Sequence, residues 1–246
     1  MARRSMIAFL AAALLIVAVP LAASAQGNEP PAAGAAEELR SELLAKTKER
    51  VIEQINRRLI LLDRLAEKVG DEEHITAEHA QSLLTHYDSA DTILVAGIED
   101  IAATESLSEL REVARSVFED TLVLALQKPR TRAVNASDHA EVIGRRSDAL
   151  AARLQQALDD LAAAGVDTTE AHAALDQARA LVDEAIAAGS PVADTVIDLT
   201  PSDDFIGPLT EARTALKNAR SKMAEARGLT RGVAAFIHDN RQIGFG

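Results

Sequence analysis

The stretch VIEQINRRLILLDRLAEKV, residues 51–69, decides the fold. Its apolar side chains recur every three or four residues, the spacing that places them on one face of an α-helix. Leu44 widens this stripe toward the N-terminus, and the pattern predicts one helix over residues 37–69, about 50 Å long at 1.5 Å per residue. The stripe consists of Val51, Ile55, Leu59, Leu62, Ala66 and Val69.

Glycines and capping residues predict where the next helices begin and end. Gly70 is expected to stop the first helix in the left-handed conformation that glycine adopts without steric cost. A second helix is predicted over residues 76–102. Ser106 and Glu109 have the spacing of a capping box, in which each side chain satisfies a free backbone amide of the other. They predict a third helix over residues 107–126.

The second half of the chain has the same pattern of helices and stops. Pro129, in QKPRTR, is expected to break the helical pattern because proline cannot continue a helix. A fourth helix is predicted over residues 138–164, ended by Gly165 with an apolar contact from Val166. A fifth helix follows a cap-like segment at residues 167–170 and runs to residue 188. A long connection with room for one short helical turn then leads to a sixth helix, which starts at residues 207–208.

Two halves of the chain echo each other. TAEHA at residues 76–80 parallels TEAHA at residues 169–173, and an offset near 92 also pairs Gly97 with Gly189. Short hinges at Gly70 and Gly165 force neighbouring helices to run antiparallel. The predicted fold is therefore all-α, with antiparallel helical bundles in two related three-helix units. The predicted segments are a signal peptide (1–25), a flexible linker (26–36), helical unit 1 (37–127), a linker (128–136) and helical unit 2 (137–246).

The first 25 residues have the layout of an export signal. Arg3 and Arg4 precede an apolar run, and Ala23-Ser24-Ala25 offers the small residues that a signal peptidase reads. The alternative is an uncleaved anchor, because the apolar run approaches the length of a membrane span. Both interpretations predict an extracytoplasmic body, either secreted, periplasmic or held at the cell envelope, and the membrane is a partner only if the segment is left uncleaved.

Composition excludes several classes of function. The net charge of −12 repels the phosphates of nucleic acid, and the chain has no Trp, one Tyr and five Phe for base stacking. The chain has no cysteine, which excludes disulfides, thiol catalysis and cysteine metal sites. Cationic partners, or surfaces that bear divalent ions, suit the acidic charge better.

Three histidines and four acidic residues fall within residues 70–87, GDEEHITAEHAQSLLTHY. His74 and His79 are five residues apart, which on a helix turns their side chains about 140° from each other. His79 and His86 share a face but lie about 10 Å apart, too far to share one metal ion. Acidic residues suit a helix N-terminus. We interpret the stretch as an ordinary helix start with solvent-facing side chains, which supplies no catalytic, cofactor-binding or metal-binding residue.

The best candidate for a calcium site is the loop over residues 198–204, where Asp198, Asp203 and Asp204 supply hard oxygen ligands. The loop does not follow the EF-hand order, and turn chemistry is the favoured explanation. The sequence has no nucleophile motif and no glycine-rich phosphate loop, so we do not expect an enzyme or a cofactor.

Charge is distributed unevenly along the chain. Residues 134–207 carry fourteen acidic against four basic residues, a net charge of −10, whereas residues 208–246 carry three against seven, a net charge of +4. The favoured explanation is that the last helix docks its basic side against the acidic helices of its own bundle. The alternative is that the acidic face recruits a cation or a basic partner.

The segment GVDTTEAHAALDQARALVDEA, residues 165–185, resembles a recurrent pattern in uncharacterised secreted, alanine-rich helical proteins of bacteria. The resemblance covers the second half of the chain and implies no activity. We therefore expect a non-enzymatic secreted or cell-envelope protein, a structural or interaction module for an envelope or extracellular protein or polymer. The alternative is an acidic extracytoplasmic protein that binds divalent cations.

Overall fold

A computed structural model describes residues 33–243 of the chain. The predicted signal peptide and most of the first predicted linker lie outside the described residues. Within them the chain is almost wholly helical and has no strand, which confirms the all-α prediction. The helices are α1 (Ala33–Asp71), α2 (Ala77–Ala103), α3 (Leu107–Thr121), α4 (Lys128–Ala163), α5 (Thr169–Gly189), α6 (Val192–Ile197) and α7 (Ile206–Ile243), with a π-helical turn at Val123–Gln127.

Helix α1 buries the predicted stripe, with Ile55 and Leu62 almost fully enclosed. It packs along α2, and the Lys48 ammonium donates to the carbonyl of Ala102, 2.8 Å away. An early residue of α1 thus lies beside the end of α2, as an antiparallel pair requires. The stop predicted at Gly70 is wrong, because α1 continues to Asp71 and Gly70 has no positive φ.

The capping box opens α3 in modified form. The Ser106 hydroxyl accepts from the Glu109 amide at 3.2 Å, as predicted. The Glu109 carboxylate, however, accepts from the amide of Glu105 at 2.8 Å instead of that of Ser106. Helix α3 ends at Thr121, earlier than predicted, because Leu122 adopts the left-handed conformation with φ of 39°.

Residues 128–136 form the start of α4, so the prediction of a linker there is wrong. Pro129 lies in the first turn of that helix, directly after the π-helical turn, and its fixed φ suits the helical backbone there. Val134 belongs to the same core cluster as Ile55 and Leu83. This stretch is therefore part of the hydrophobic core that joins the two halves, whose division into units stays a prediction.

The stop predicted at Gly165 is confirmed. Gly165 has φ of +89°, and its amide donates to the carbonyl of Ala162 at 2.9 Å. The amide of Val166 donates to the carbonyl of Leu161 at 3.0 Å, and the Val166 side chain packs on the core cluster that contains Leu161. These bonds form a Schellman motif.

Helices α4, α5 and α7 pack together in the second half, and α7 buries an apolar face that includes Leu216, Ala219 and Met223. The direction of α4 sets the shape of the chain. Asp138 contacts Thr76 at the start of α2, whereas Thr131 contacts Tyr87, further along α2. Helix α4 therefore runs antiparallel to α2, and its C-terminal half continues beyond the N-terminal end of α2.

We expect Gly97→Ala to lower the free energy of unfolding by about 1–3 kcal/mol, the usual cost of overpacking. A Cβ at this position would lie 2.6 Å from Cγ2 of Val117, where α2 crosses α3. Urea unfolding of Gly97→Ala, Val117→Ala and the double variant checks this. The double variant should lose less stability than the sum of the single losses, and strictly additive losses would contradict the close approach.

Candidate functional site

The histidines of α2 and of the turn before it contact α4 and α6 instead of facing solvent. Nδ1 of His79 lies 2.8 Å from Oδ1 of Asp138, and Nε2 lies 3.3 Å from Oδ1 of Asp194. The side chain of His79 is 15% exposed and that of Asp138 is 4% exposed. The prediction of solvent-facing imidazoles is therefore wrong for His79. These three side chains are called the His79 cluster below.

Asp138 also caps α2 from a different helix. Its Oδ2 accepts from the backbone amide of Thr76 at 2.9 Å, and Thr76 is the N-cap residue of α2. The carboxylate of Asp138 thus stabilises both the N-terminus of α2 and the imidazole of His79 one turn further along that helix. Because the carboxylates of Asp138 and Asp194 are acceptors, the imidazole faces them best with both nitrogens protonated.

The pKa of His79 reflects two opposing effects. Burial disfavours the imidazolium and lowers the pKa, whereas the hydrogen bonds and charges of Asp138, and then of Asp194, raise it. The net result is a pKa above the ordinary value of 6.5. The cluster therefore links α2, α4 and α6 through contacts that favour the imidazolium form of His79.

A second contact fastens the turn before α2 to α4. Nε2 of His74 lies 2.8 Å from Oδ1 of Asn135 and 3.2 Å from Oε2 of Glu72. Its ring meets that of His139 edge-on, with centroids 4.5 Å apart. Burial, the charge of His74 and that of Arg146 lower the pKa of His139. Asn135 is thus engaged in packing between the two halves.

Ser137 positions α6 and hence Asp194. Its hydroxyl lies 2.8 Å from the carbonyl of Gly189 and 2.7 Å from that of Ser190, where α5 ends. It also accepts from the amide of Ala193 at 3.1 Å. Because Ser137 and Asp138 are neighbours in α4, one turn of that helix holds both α6 and the start of α2.

Arg130 is fully buried two turns earlier in α4. Its Nη1 donates to Oε1 of Gln127 at 2.9 Å, whereas Nε and Nη2 have no acceptor among the described protein atoms. Burial lowers the pKa of Arg130 to about 10, although Tyr87 and Asp198 raise it in part. The hydroxyl of Tyr87 bonds that of Thr131 beside it.

Sequence reasoning missed Arg130 because it interpreted residues 127–132 as a break. One signal could have found it: Leu126, Arg130 and Val134 are spaced four residues apart. If the segment is helical, that spacing places the arginine on the apolar face.

His86 should respond to pH in the opposite sense to His79. Burial, and then the positive charge of Arg130, lower its pKa below 6.5, although its hydrogen bond to the carbonyl of Ile197 at 2.9 Å raises it in part. The unfolded chain then binds the proton more tightly, so His86 costs stability as the pH falls through 6.5. We expect His86→Gln to lose less stability than the wild type between about pH 7.5 and pH 5. Thermal unfolding of both proteins measures this, and a larger loss in the variant would contradict the sign.

The structure gives Asp203 of the calcium candidate a role in its own turn. Oδ2 of Asp203 accepts from the amide of Thr200 at 2.7 Å and from its hydroxyl at 2.8 Å, bonds that lower the pKa of Asp203. Over residues 33–243 no three histidine, aspartate or glutamate side chains are grouped to hold a metal ion, so Asp198, Asp203 and Asp204 do not form such a group together. The contacts of Asp203 agree with the turn chemistry that the sequence analysis favoured.

An open groove lies between α4, α5 and α7, with a volume of about 310 Å³. Apolar side chains such as Leu154, Leu175 and Met223 line it, and Leu150 at its edge is 46% exposed. Arg227 and Arg231 of α7 lie along the other edge. The groove is thus an apolar surface beside positive charge.

Most lysines and arginines of α7 form no ion pair within the described part of the chain. Lys222 forms an ion pair with Glu184 of α5, as in-chain docking predicts. In the described part of the chain no other lysine or arginine of α7 forms an ion pair. The expected docking against acidic helices therefore accounts for Lys222 and leaves the other bases exposed. Those that face the same side are Arg213, Lys217, Arg220, Arg227 and Arg231, called the basic stripe below.

Comparison with protein-family models, with curated proteins and with solved structures gave no match to this chain. None of the helices described between residues 33 and 243 is long and apolar enough to cross a membrane.

Proposed function

We propose that this protein is a non-enzymatic helical interaction module that acts at the cell envelope or outside the cell. The observation that carries the proposal is the groove between α4, α5 and α7, an apolar surface edged by unpaired arginines. Exposed apolar surface next to positive charge is typical of binding surfaces, where a desolvated centre is surrounded by charged residues.

The His79 cluster and Ser137 support the same proposal, because their polar side chains form contacts between helices. Asp138 holds both Thr76 and His79, and Ser137 holds the end of α5 and the start of α6. These contacts make a stiff scaffold, which lowers the entropy lost when a preformed surface binds. The extracytoplasmic location rests on the signal-like sequence of residues 1–25 and on the resemblance of residues 165–185 to secreted helical proteins.

Site-specific photo-crosslinking tests the proposal. A benzophenone amino acid replaces Leu150 in the groove or, as a control, Ile60 of α1, which is similarly exposed at 50%. In envelope and secreted fractions of the source cells, we expect position 150 to give a discrete crosslinked species that position 60 lacks. Arg227→Glu/Arg231→Glu should weaken that species. Identical crosslinks from both positions, or none from position 150, would contradict a binding role for the groove.

A further inference from the structure

We propose that the groove and the basic stripe bind the acidic face of α2 from a second copy of this chain. This inference rests on the proposed function and names the partner of the same groove. It starts from two unpartnered helix faces of opposite charge, one on α7 and one on α2.

The basic stripe forms a narrow band on α7. At 100° per residue its five side chains fall within about 80° of the helix circumference. All five are exposed. Arg227 and Arg231 edge the groove, so the stripe runs beside an apolar surface that includes Leu150. A partner that suits this surface carries acidic side chains next to a few apolar ones.

Helix α2 presents such a face. Ala77–Ala103 contains no lysine or arginine. Asp88, Asp91 and Glu99 point to one side of the helix, and Val95 lies among them with 47% of its surface exposed. In the described part of the chain these three carboxylates form no ion pair. The face thus joins unpaired negative charge to exposed apolar surface, the complement of the groove.

The two rows of charge match in length when the helices run antiparallel. Along α7, Arg220, Arg227 and Arg231 are separated by rises of about 10 and 6 Å. Along α2 in the reverse direction, Glu99, Asp91 and Asp88 are separated by about 12 and 4.5 Å. In this register Arg220 can reach Glu99, Arg227 can reach Asp91, and Arg231 can reach Asp88. Val95 is then left to contact the apolar groove.

The groove and the two arginines at its edge cannot meet the acidic face of α2 within one molecule. Asp138 of α4 lies beside Thr76 at the start of α2, and the two helices run in opposite directions from that point. Asp88 is twelve residues along α2 and Leu150 is twelve residues along α4, which places them about 36 Å apart along the bundle. The carboxylates that Arg227 and Arg231 contact must therefore come from another copy.

The association is expected to be weak and dependent on salt. One helix laid along one groove buries less than the roughly 1,200 Å² of a stable interface. The net charge of −12 on each copy opposes association, although at 0.15 M ionic strength charges farther apart than about 8 Å are largely screened. Contacts between local rows of opposite charge then outweigh the net repulsion. We expect a dissociation constant of about 10–100 µM at this ionic strength.

Sedimentation velocity on the whole protein, in the form in which the source cells export it, tests the inference. We expect the weight-average sedimentation coefficient of the wild type to rise with concentration and to stop rising at about 1 M salt. Arg227→Glu/Arg231→Glu should abolish the rise, and so should Asp88→Arg/Asp91→Arg, which reverses the two carboxylates that these arginines face. The variant that combines all four changes has the net charge of the wild type and should associate again. Arg50→Glu/Arg64→Glu changes two exposed arginines of α1 and should leave association unchanged, and circular dichroism verifies the fold of every variant.

Restoration in the combined variant is the result that supports the pairing. A wild type that stays monomeric at all concentrations overturns the inference, and so does association that the combined variant fails to restore. A monomeric wild type whose position 150 still crosslinks to another protein overturns self-association but leaves the proposed function standing. Absence of both results removes the proposed function as well.

Discussion

Asp138→Ala is expected to lower the free energy of unfolding by about 3–4 kcal/mol, the usual cost of breaking a buried charge pair. The change removes the acceptor of the Thr76 amide at the start of α2 and the principal partner of the His79 imidazole. Both groups are then left without their carboxylate in a largely dry contact between α2 and α4. Denaturant unfolding of the variant and the wild type measures the loss.

Two further variants control the Asp138 experiment. Asp138→Asn keeps an oxygen that can accept from Thr76 but removes the charge, so it should lose less stability than Asp138→Ala. Asp148→Ala removes an exposed carboxylate from the same helix and should change stability by no more than about 0.5 kcal/mol. If Asp138→Ala is as mild as Asp148→Ala, the carboxylate does not hold the two halves together.

Arg130→Met is expected to raise the free energy of unfolding by about 2 kcal/mol, within the range found when buried charges are replaced by apolar residues of similar size. Burial makes the guanidinium costly, as its pKa of about 10 indicates. Methionine fills a similar volume without a charge. The surrounding core includes Leu126 and Val134, which suit an apolar neighbour. Chemical unfolding of the variant measures the gain.

An exposed arginine of the same helix provides the control for Arg130. Arg132→Met lies two residues away on the solvent side and should change stability by no more than about 0.5 kcal/mol. Arg130→Ala should be less stable than Arg130→Met, because it leaves a cavity. A loss of more than 1 kcal/mol in Arg130→Met would mean that the buried guanidinium stabilises the fold, against the expectation from burial.

Local periodicity explains why most of the helices could be predicted. The stripe from Val51 to Val69 and the motif at Gly165 depend on residues close in sequence, and the structure confirms both. Pro129 misled the prediction because a proline marks either a break or a first turn, and the local sequence does not distinguish them. Gly70 also misled the prediction, because the first helix continues to Asp71 and the turn to α2 begins at residue 72.

The environment of the histidines could not be predicted from α2 alone. The partners of His79 lie 59 and 115 residues away in the chain, at Asp138 and Asp194. The helix that carries Asp138 begins at Lys128. Because residues 128–136 were predicted to be a linker, the contact between this helix and α2 was not predicted, and neither was the His79 cluster. The sequence did place His74 and His79 at the start of α2, and the structure shows that this part of the chain contacts α4.

The acidic and basic segments show the same limit of local reasoning. The sequence indicated that the basic end of the chain would meet acidic helices, and Lys222 does contact Glu184 of α5. The sequence did not indicate that the other bases would line up beside an apolar groove. That arrangement requires α4, α5 and α7 to pack around one another.

The contribution of His79 to the free energy of unfolding depends on pH, and this dependence tests most directly whether the His79 cluster holds α2, α4 and α6 together. Because the folded pKa of His79 lies above 6.5, its charged contacts stabilise the fold fully below 6.5 and are lost as the pH rises through the folded pKa. The measurement is the difference in free energy of unfolding between the wild type and His79→Gln at about pH 5 and pH 9, either side of that range. We predict that His79→Gln loses clearly more stability at pH 5 than at pH 9. An equal loss at both pH values, or a greater loss at pH 9, would contradict this role of the His79 cluster.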